Sequence, residues 1–297
     1  MKDIPNYETY IKIEPINKGW SGDKKYYVET KDGERLLLRV SDVSHYDEKK
    51  NEFEMMKRIA ASGIKMSMPI NFGICNGGKS VYQILSWIDG EEAKEALYHM
   101  SEAEQYACGQ KAACVLKQLE TVDYKPASDE WAKSYAERVE CYIELYRNCG
   151  YTFDGDELII SYLRTGLDSI GERPTALIHQ DFQTDNMVIS PDGEIYTIDF
   201  QMCGNADPYL VLTGVGVSAM YSVPFAMGQI DGYFGESVPN DFWKKYNLYM
   251  TSEMLYAFTV GVHMEEEREE TLRMFDDEVE RIKNNASLVP WWYKKDC

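Results

Sequence analysis

Positive charge is scarce in this 297-residue chain: 31 Lys and Arg stand against 50 Asp and Glu, a formal net charge of −19. Binding a phosphate backbone needs basic patches, so nucleic acid is not an expected partner and a cationic one is. The seven cysteines are an odd number without a Cys-x-x-Cys pair. That argues against a disulfide framework or a zinc site, and for free, mostly buried thiols in a reducing cytosol. No apolar run follows Met1-Lys2-Asp3-Ile4-Pro5, so no signal peptide is expected and the cytoplasm is the expected location. No internal repeat or low-complexity linker interrupts the chain. Leu210 to Gln229 lacks charge altogether, but Gly214, Gly216, Pro224, Gly228 and its hydroxyl residues make it a buried helix-and-loop segment. A membrane span would need about twenty strongly apolar residues, and no membrane insertion is expected. The 44% of hydrophobic residues suffices for one large core or two modest ones.

What is present is a run of acids and amides with a recognisable spacing. Ile178-His179-Gln180-Asp181-Phe182-Gln183-Thr184-Asp185-Asn186 is followed by Ile198-Asp199-Phe200, with Asp199 thirteen residues beyond Asn186. Between them, two apolar, β-branched runs flank Asp192-Gly193, a hairpin signal. A two-residue turn there pairs Ser190 with Ile195 and Val188 with Thr197, and sets Asn186 across from Asp199; a one-residue bulge would shift this slightly. An amide oxygen and a carboxylate one strand spacing apart suit Mg²⁺, a hard cation that takes oxygen ligands. Asp181 precedes Asn186 by five residues, the spacing of the kinase catalytic loop, whose Asp accepts the attacking hydroxyl's proton. Asp181 is the expected general base, His179 a support for its loop, and Gln183 a neighbour on the substrate side. Singly, such residues cap helices, make Asx turns or sit as structural histidines. Their combination points to phosphoryl transfer.

The first part of the chain carries strand patterns at Tyr10–Ile13, Lys25–Thr30 and Arg35–Val40, the last two joined by a hairpin at Asp32-Gly33. In Gly19-Trp20-Ser21-Gly22, the backbone at Gly19 and Gly22 can approach an anion and Ser21 can add a hydrogen bond; a plain turn is the alternative. Arg39 stands where a kinase has its phosphate-pairing Lys, and its planar fork can grip phosphate with two donors. The helical pattern of Glu52, Met56 and Ile59 follows, with Glu52 the expected partner of Arg39. The alternative is an exposed Arg39 and a surface Glu52. Val81–Leu85 is a further strand, and Ser86-Trp87-Ile88-Asp89-Gly90 a hinge. Beyond it the pattern is helical, with an apolar stripe at Ala112, Val115, Leu116 and Leu119, and similar stretches at Tyr135–Val139, Leu158–Leu163 and Phe242–Val262. The expected fold is α+β and bilobal: residues 1–89 form a small five-stranded antiparallel lobe for nucleotide, and residues 90–297 a larger, mainly helical lobe.

These features resemble the aminoglycoside phosphotransferase and choline kinase family, which has the protein-kinase-like fold. The resemblance runs nearly end to end, through Lys18-Gly19-Trp20-Ser21-Gly22-Asp23-Lys24-Lys25-Tyr26, Leu85-Ser86-Trp87-Ile88-Asp89-Gly90-Glu91, the catalytic segment, Asp207-Pro208 and Pro290-Trp291-Trp292-Tyr293. It implies ATP as donor, with GTP as the alternative, together with Mg²⁺ and hinge backbone at Ser86 and Ile88 meeting the nucleobase. It also implies a small cationic hydroxyl acceptor: an aminoglycoside, an amino sugar, choline or homoserine. No Ala-Pro-Glu follows Asp199, which argues against a protein kinase. By resemblance alone, Glu253, Tyr256, Trp291 and Trp292 are substrate contacts; helix packing and a C-terminal anchor are the alternative. The acidic run from Glu265 to Glu280 is either a solvated face or a wall facing a polyamine. Two departures stand out: Gln180 replaces the family's usual Gly, and the helix ending Leu119-Glu120 lacks the His that often closes it. A nucleotide-binding regulator without turnover is the competing expectation, and a monomer or weak homodimer the expected state.

Overall fold

The computed structural model describes residues 1–17, 22–123, 130–171 and 173–293. Strands β1 (Tyr10–Ile16), β2 (Lys24–Thr30) and β3 (Arg35–Asp42) lead to helix α1 (Tyr46–Ala61), then to β4 (Pro69–Cys75) and β5 (Ser80–Ser86). They form one sheet in the order β1-β2-β3-β5-β4, antiparallel throughout. Because side chains alternate across a strand, each face has its own occupants. Leu36, Leu38 and Val40 pack with Val28, Ile84 and Ile4 on one face. Leu37 and Leu85 turn to the other, against Phe53, Met56 and Ile59 of α1. Arg39 shares that second face, and the register sets Lys25 of β2 on one side of it and Gln83 of β5 on the other. Strand β4 was not located from the sequence. It is an edge strand, opened by Pro69 and carrying Ile70 and Ile74 outward, so it lacks the alternation of a half-buried strand.

After the hinge come β6 (Glu91–Glu92), α2 (Ala93–Tyr98), α3 (Glu102–Leu119), α4 (Trp131–Asn148) and α5 (Asp156–Gly166). Next are β7 (Ala176–His179), β8 (Met187–Ile189), β9 (Ile195–Thr197) and β10 (Cys203–Ala206), and then α6 (Pro208–Val211), α7 (Thr213–Tyr221), α8 (Val223–Phe234), α9 (Phe242–Gly261), α10 (Arg268–Arg273) and α11 (Asp276–Lys283). The short strands make two small sheets, β6-β8-β9 and β10-β7, embedded among the helices. A Ser101–Glu104 capping box starts α3. Helices α3 and α8 meet backbone to backbone: a Cβ on Gly109 would strike the Phe225 carbonyl, and one on Gly228 the Tyr106 carbonyl. The uncharged stretch from Leu210 is thus broken into short packed helices, and among the described residues no helix is long and apolar enough to cross a membrane.

One expectation is corrected here, and the acidic run takes the first of its two alternatives. Cys75 and Cys108 are buried, but Cys114 and Cys141 lie exposed on α3 and α4 while Cys149 and Cys203 are half-buried, so the described thiols are free but not mostly buried. The acidic run is a solvated surface over α10 and α11, in which Glu278 is turned inward to Thr251 Oγ1 at 2.5 Å and to Arg281.

Candidate active site

The lower half of the site grows from the end of β7. His179 is fully buried between Phe182 and Phe200, and its Nε2–H donates to the Ile198 carbonyl at 3.0 Å. Burial holds its imidazole below the ordinary pKa, so the ring is a neutral tie between the two segments. The Asp181 carboxylate accepts from Gln183 Nε2 at 2.8 Å and from Asn186 Nδ2 at 2.7 Å, and the same Asn186 nitrogen reaches the Asp181 carbonyl at 2.9 Å. With that nitrogen engaged, the side-chain amide oxygen of Asn186, Oδ1, has no hydrogen bond among the described residues and is left over for another partner. Asp185 is drawn to α2 by Lys94 at 2.6 Å. Behind the loop, Gly214 of α7 lies so close that a Cβ there would sit 2.5 Å from the Phe182 carbonyl.

The expected hairpin forms, but one residue out of the expected register. Met187 pairs with Thr197, Val188 with Tyr196 and Ile189 with Ile195. The reason lies in the loop, where Gly193, at φ 74°, donates to the Ser190 carbonyl at 2.8 Å and Ser190 N–H to the Glu194 carbonyl at 2.9 Å. Pro191-Asp192-Gly193 is therefore a three-residue connection ending in a left-handed glycine, a bulged loop in place of a two-residue turn. Asn186 then faces Ile198, whose N–H reaches its carbonyl at 3.0 Å, and Asp199 follows in a left-handed conformation with φ 62°. Such a backbone is unusual for a non-glycine residue, and left-handed residues of this kind cluster at functional sites. Asp199 Oδ1 is buried and accepts no hydrogen bond among the described residues; the nearest cation is Arg39 Nη1 at 3.6 Å. An unpartnered carboxylate oxygen beside a spare amide oxygen is a hard donor set that fits Mg²⁺, which completes its shell with water and phosphate oxygens.

The upper half is a knot of charge. Arg39 is 4% exposed; its Nε and Nη2 donate to Asp23 Oδ2 at 3.0 and 2.6 Å, and its Nη1 to Glu52 Oε1 at 3.3 Å. Lys49 Nζ reaches Asp23 at 2.9 Å and Glu52 at 3.3 Å, and Ser41 Oγ donates to Asp23 at 2.5 Å. Burial pushes the Asp23 carboxyl upward, but Arg39, Ser41 and Lys49 outweigh it and hold the group at about 2. Asp23, Lys49 and Ser41 were not singled out from the sequence. At the hinge, Arg35 grips Asp89 through both Nη atoms, and Tyr27 meets Trp87 edge-on at 4.9 Å. The Ser86 carbonyl accepts from Ser67 Oγ at 2.5 Å, whereas the Ile88 N–H makes no hydrogen bond among the described residues. Gly22 is exposed with open space around it, while Gly19 and Ser21 lie outside the described residues.

The four residues expected at the substrate are divided. Glu253 of α9 is half-buried, its buried Oε1 accepts no hydrogen bond among the described residues, and burial raises its pKa against the pull of Arg138 and a hydrogen bond from Tyr142. Tyr256 stacks on Tyr142 with ring centroids 5.0 Å apart. Arg138 links this group to the catalytic loop, donating to Gln180 Oε1 at 3.1 Å. Trp291 is 71% exposed, whereas Trp292 is packed on Trp243 and Tyr246. The ring of Trp292 therefore belongs to the core of the lobe.

A model of the phosphotransferase enzyme family matches residues 12–237. Among solved structures, the chain is similar to a GDP and kanamycin complex of APH(2")-IIia, at 15% identity and a TM-score of 0.68 over 96% of this chain and 97% of that one. It is also similar to the amicoumacin kinase hAmiN in complex with AMP-PNP, Ca²⁺ and Ami (13%, TM-score 0.64, 93% of this chain and 90% of that one). A third is a choline/ethanolamine kinase family protein from Mesorhizobium loti (14%, TM-score 0.67, 95% and 91%). At such identities the likeness is one of fold, α+β, bilobal and kinase-like. No match is found among curated proteins.

Proposed function

Because this chain belongs to the phosphotransferase enzyme family, we propose that it transfers the γ-phosphoryl group of ATP, or alternatively GTP, to a hydroxyl of a small cationic acceptor. The observation that carries this reading is the Asp181 carboxylate, held from two sides by neutral amides in a loop that His179 and Asn186 tie to Ile198, the residue before Asp199 with its unpartnered oxygen. Two amide donors orient a carboxylate without cancelling its charge. Asp181 then positions the acceptor hydroxyl and takes its proton, assistance worth about 10²- to 10⁴-fold. Asn186, through its amide oxygen, and Asp199 are the residues that would hold Mg²⁺, which when bound offsets the charge of the phosphate oxygens. His179 ties the base-bearing loop to the strand that ends at Asp199, and Gln183 fixes the angle of the base.

For the donor, we assign the Ser86 carbonyl and Ile88 N–H to the base edge and the Gly19, Ser21 and Gly22 loop to the phosphates, with Arg39 and Glu52 shaping the phosphate end. The GDP and AMP-PNP named for the neighbours support a nucleotide donor. For the acceptor, the half-buried Glu253 carboxylate with the Tyr142–Tyr256 stack suits an ammonium group, which is drawn both to a carboxylate and to aromatic faces. Kanamycin in one neighbour supports an amino-rich acceptor. A monomer or weak homodimer acting in the cytoplasm completes the reading. The test is ADP and GDP release by the purified chain with Mg²⁺ and a panel of aminoglycosides, amino sugars, choline and homoserine. At least one acceptor should raise release above the blank, and Asp181→Asn should remove the increment. Nucleotide binding without stimulation by any hydroxyl compound would favour a regulator instead.

A further inference from the structure

We propose that Lys25, not Arg39, is the strand cation that meets the donor's phosphate chain, and that Arg39 is a positioning residue around which the upper half of the cleft is built. The inference rests on the nucleotide reading above and assigns a residue within that site. Arg39 is anchored: three of its five N–H groups serve Asp23 and Glu52, and Nη1 also lies 3.6 Å from Asp199. To move out toward a phosphate it would have to draw away from these buried carboxylates and leave their charge uncompensated. Lys49 is spent in the same way, on Asp23 and Glu52. These two cations and two carboxylates already balance one another.

Lys25 is different. The register places it directly opposite Arg39, so its side chain leaves the sheet on the same face, with Cβ atoms about 5 Å apart for such a pair. It is half-buried, and among the described residues its ammonium has no ion pair and no hydrogen bond. Burial and Arg39 pull its pKa down, while Asp199 and Asp23 pull it up, which puts all of these groups in one electrostatic neighbourhood. A partly desolvated ammonium beside a carboxylate suited to Mg²⁺, with no anion of its own, is matched to a polyphosphate. Its flexible four-carbon stem can follow that ligand without unpairing the knot behind it.

Calorimetric titration with Mg·AMP-PNP and with AMP, alongside thermal melts, tests this. Lys25→Met should lower affinity for the triphosphate analogue by about tenfold or more, as expected for a charge-assisted bond, and leave AMP affinity and the melt unchanged. Lys25→Arg should recover part of the loss, and Lys25→Gln gives the same reading should the Met variant fail to fold. Arg39→Lys should lower the melting temperature and weaken both nucleotides alike. Wild-type triphosphate affinity in Lys25→Met overturns the proposal, as does a loss confined to the triphosphate in an Arg39→Lys protein of unchanged melt. A wild-type chain that binds neither nucleotide defeats the donor reading itself, and this assignment with it.

Discussion

Above the cleft, Asp23, Arg39, Lys49 and Glu52 are buried charges that satisfy one another; below it, Asp181 is oriented by the neutral amides of Gln183 and Asn186. The upper arrangement is stiff and fragile, since removing one partner strands the rest without water. The lower arrangement fixes a carboxylate in space and leaves its charge unspent. A site that must both hold a geometry and keep a reactive anion can separate the two duties in this way. Charge cancels charge in the upper half, and neutral amides do the orienting in the lower.

Substitutions on either side sharpen the contrast. The largest effect is expected below: Asp181→Asn should cut kcat by about 10²- to 10⁴-fold in initial-rate assays while the melt stays put. Above, Asp23→Ala should cost about 3–5 kcal/mol in denaturant unfolding, because Arg39 and Lys49 lose their shared carboxylate. The pH dependence has a definite sign. Asp23 is held at about 2, below the ordinary carboxylate value, so its contribution is present above about pH 4 and lost as pH falls toward 2. Unfolding free energies of Asp23→Asn should be flatter than wild type across that window. Away from the cleft, Gly228→Ala should destabilise by about 1–3 kcal/mol through the α3–α8 contact and leave kcat alone. The smallest effect belongs to Glu194→Gln, which removes surface pairs with Lys65 and Lys111 and should leave the denaturant midpoint nearly where it is in wild type. An Asp23 variant as mild as the Glu194 one would erase the distinction between the two halves.

Much of this arrangement was legible because it is local or periodic. The β8–β9 hairpin follows from two apolar runs about a glycine, and the Arg39–Glu52 contact from a strand followed by a helix of period 3.6. What escaped depends on partners far apart in the chain. Asp23 meets Arg39 and Lys49 only once three elements have packed, so no spacing announces it. The available hint was that Asp23, just before β2, and Lys25 on it stand two residues apart, the spacing of one strand face, which here is the face of the buried Arg39. Strand β4 escaped because an edge strand with outward isoleucines carries no alternation to read. The hairpin register escaped because Asp-Gly serves both a two-residue turn and the bulged loop found here.

That loop has a further consequence. Removing a single residue between Pro191 and Gly193 would leave a two-residue connection, which keeps the pairs from Ile189–Ile195 to Met187–Thr197 only if it adopts a primed turn with positive φ. The tip is therefore constrained chiefly at Gly193, whose positive φ closes the hairpin that leads to the Asp199 carboxylate.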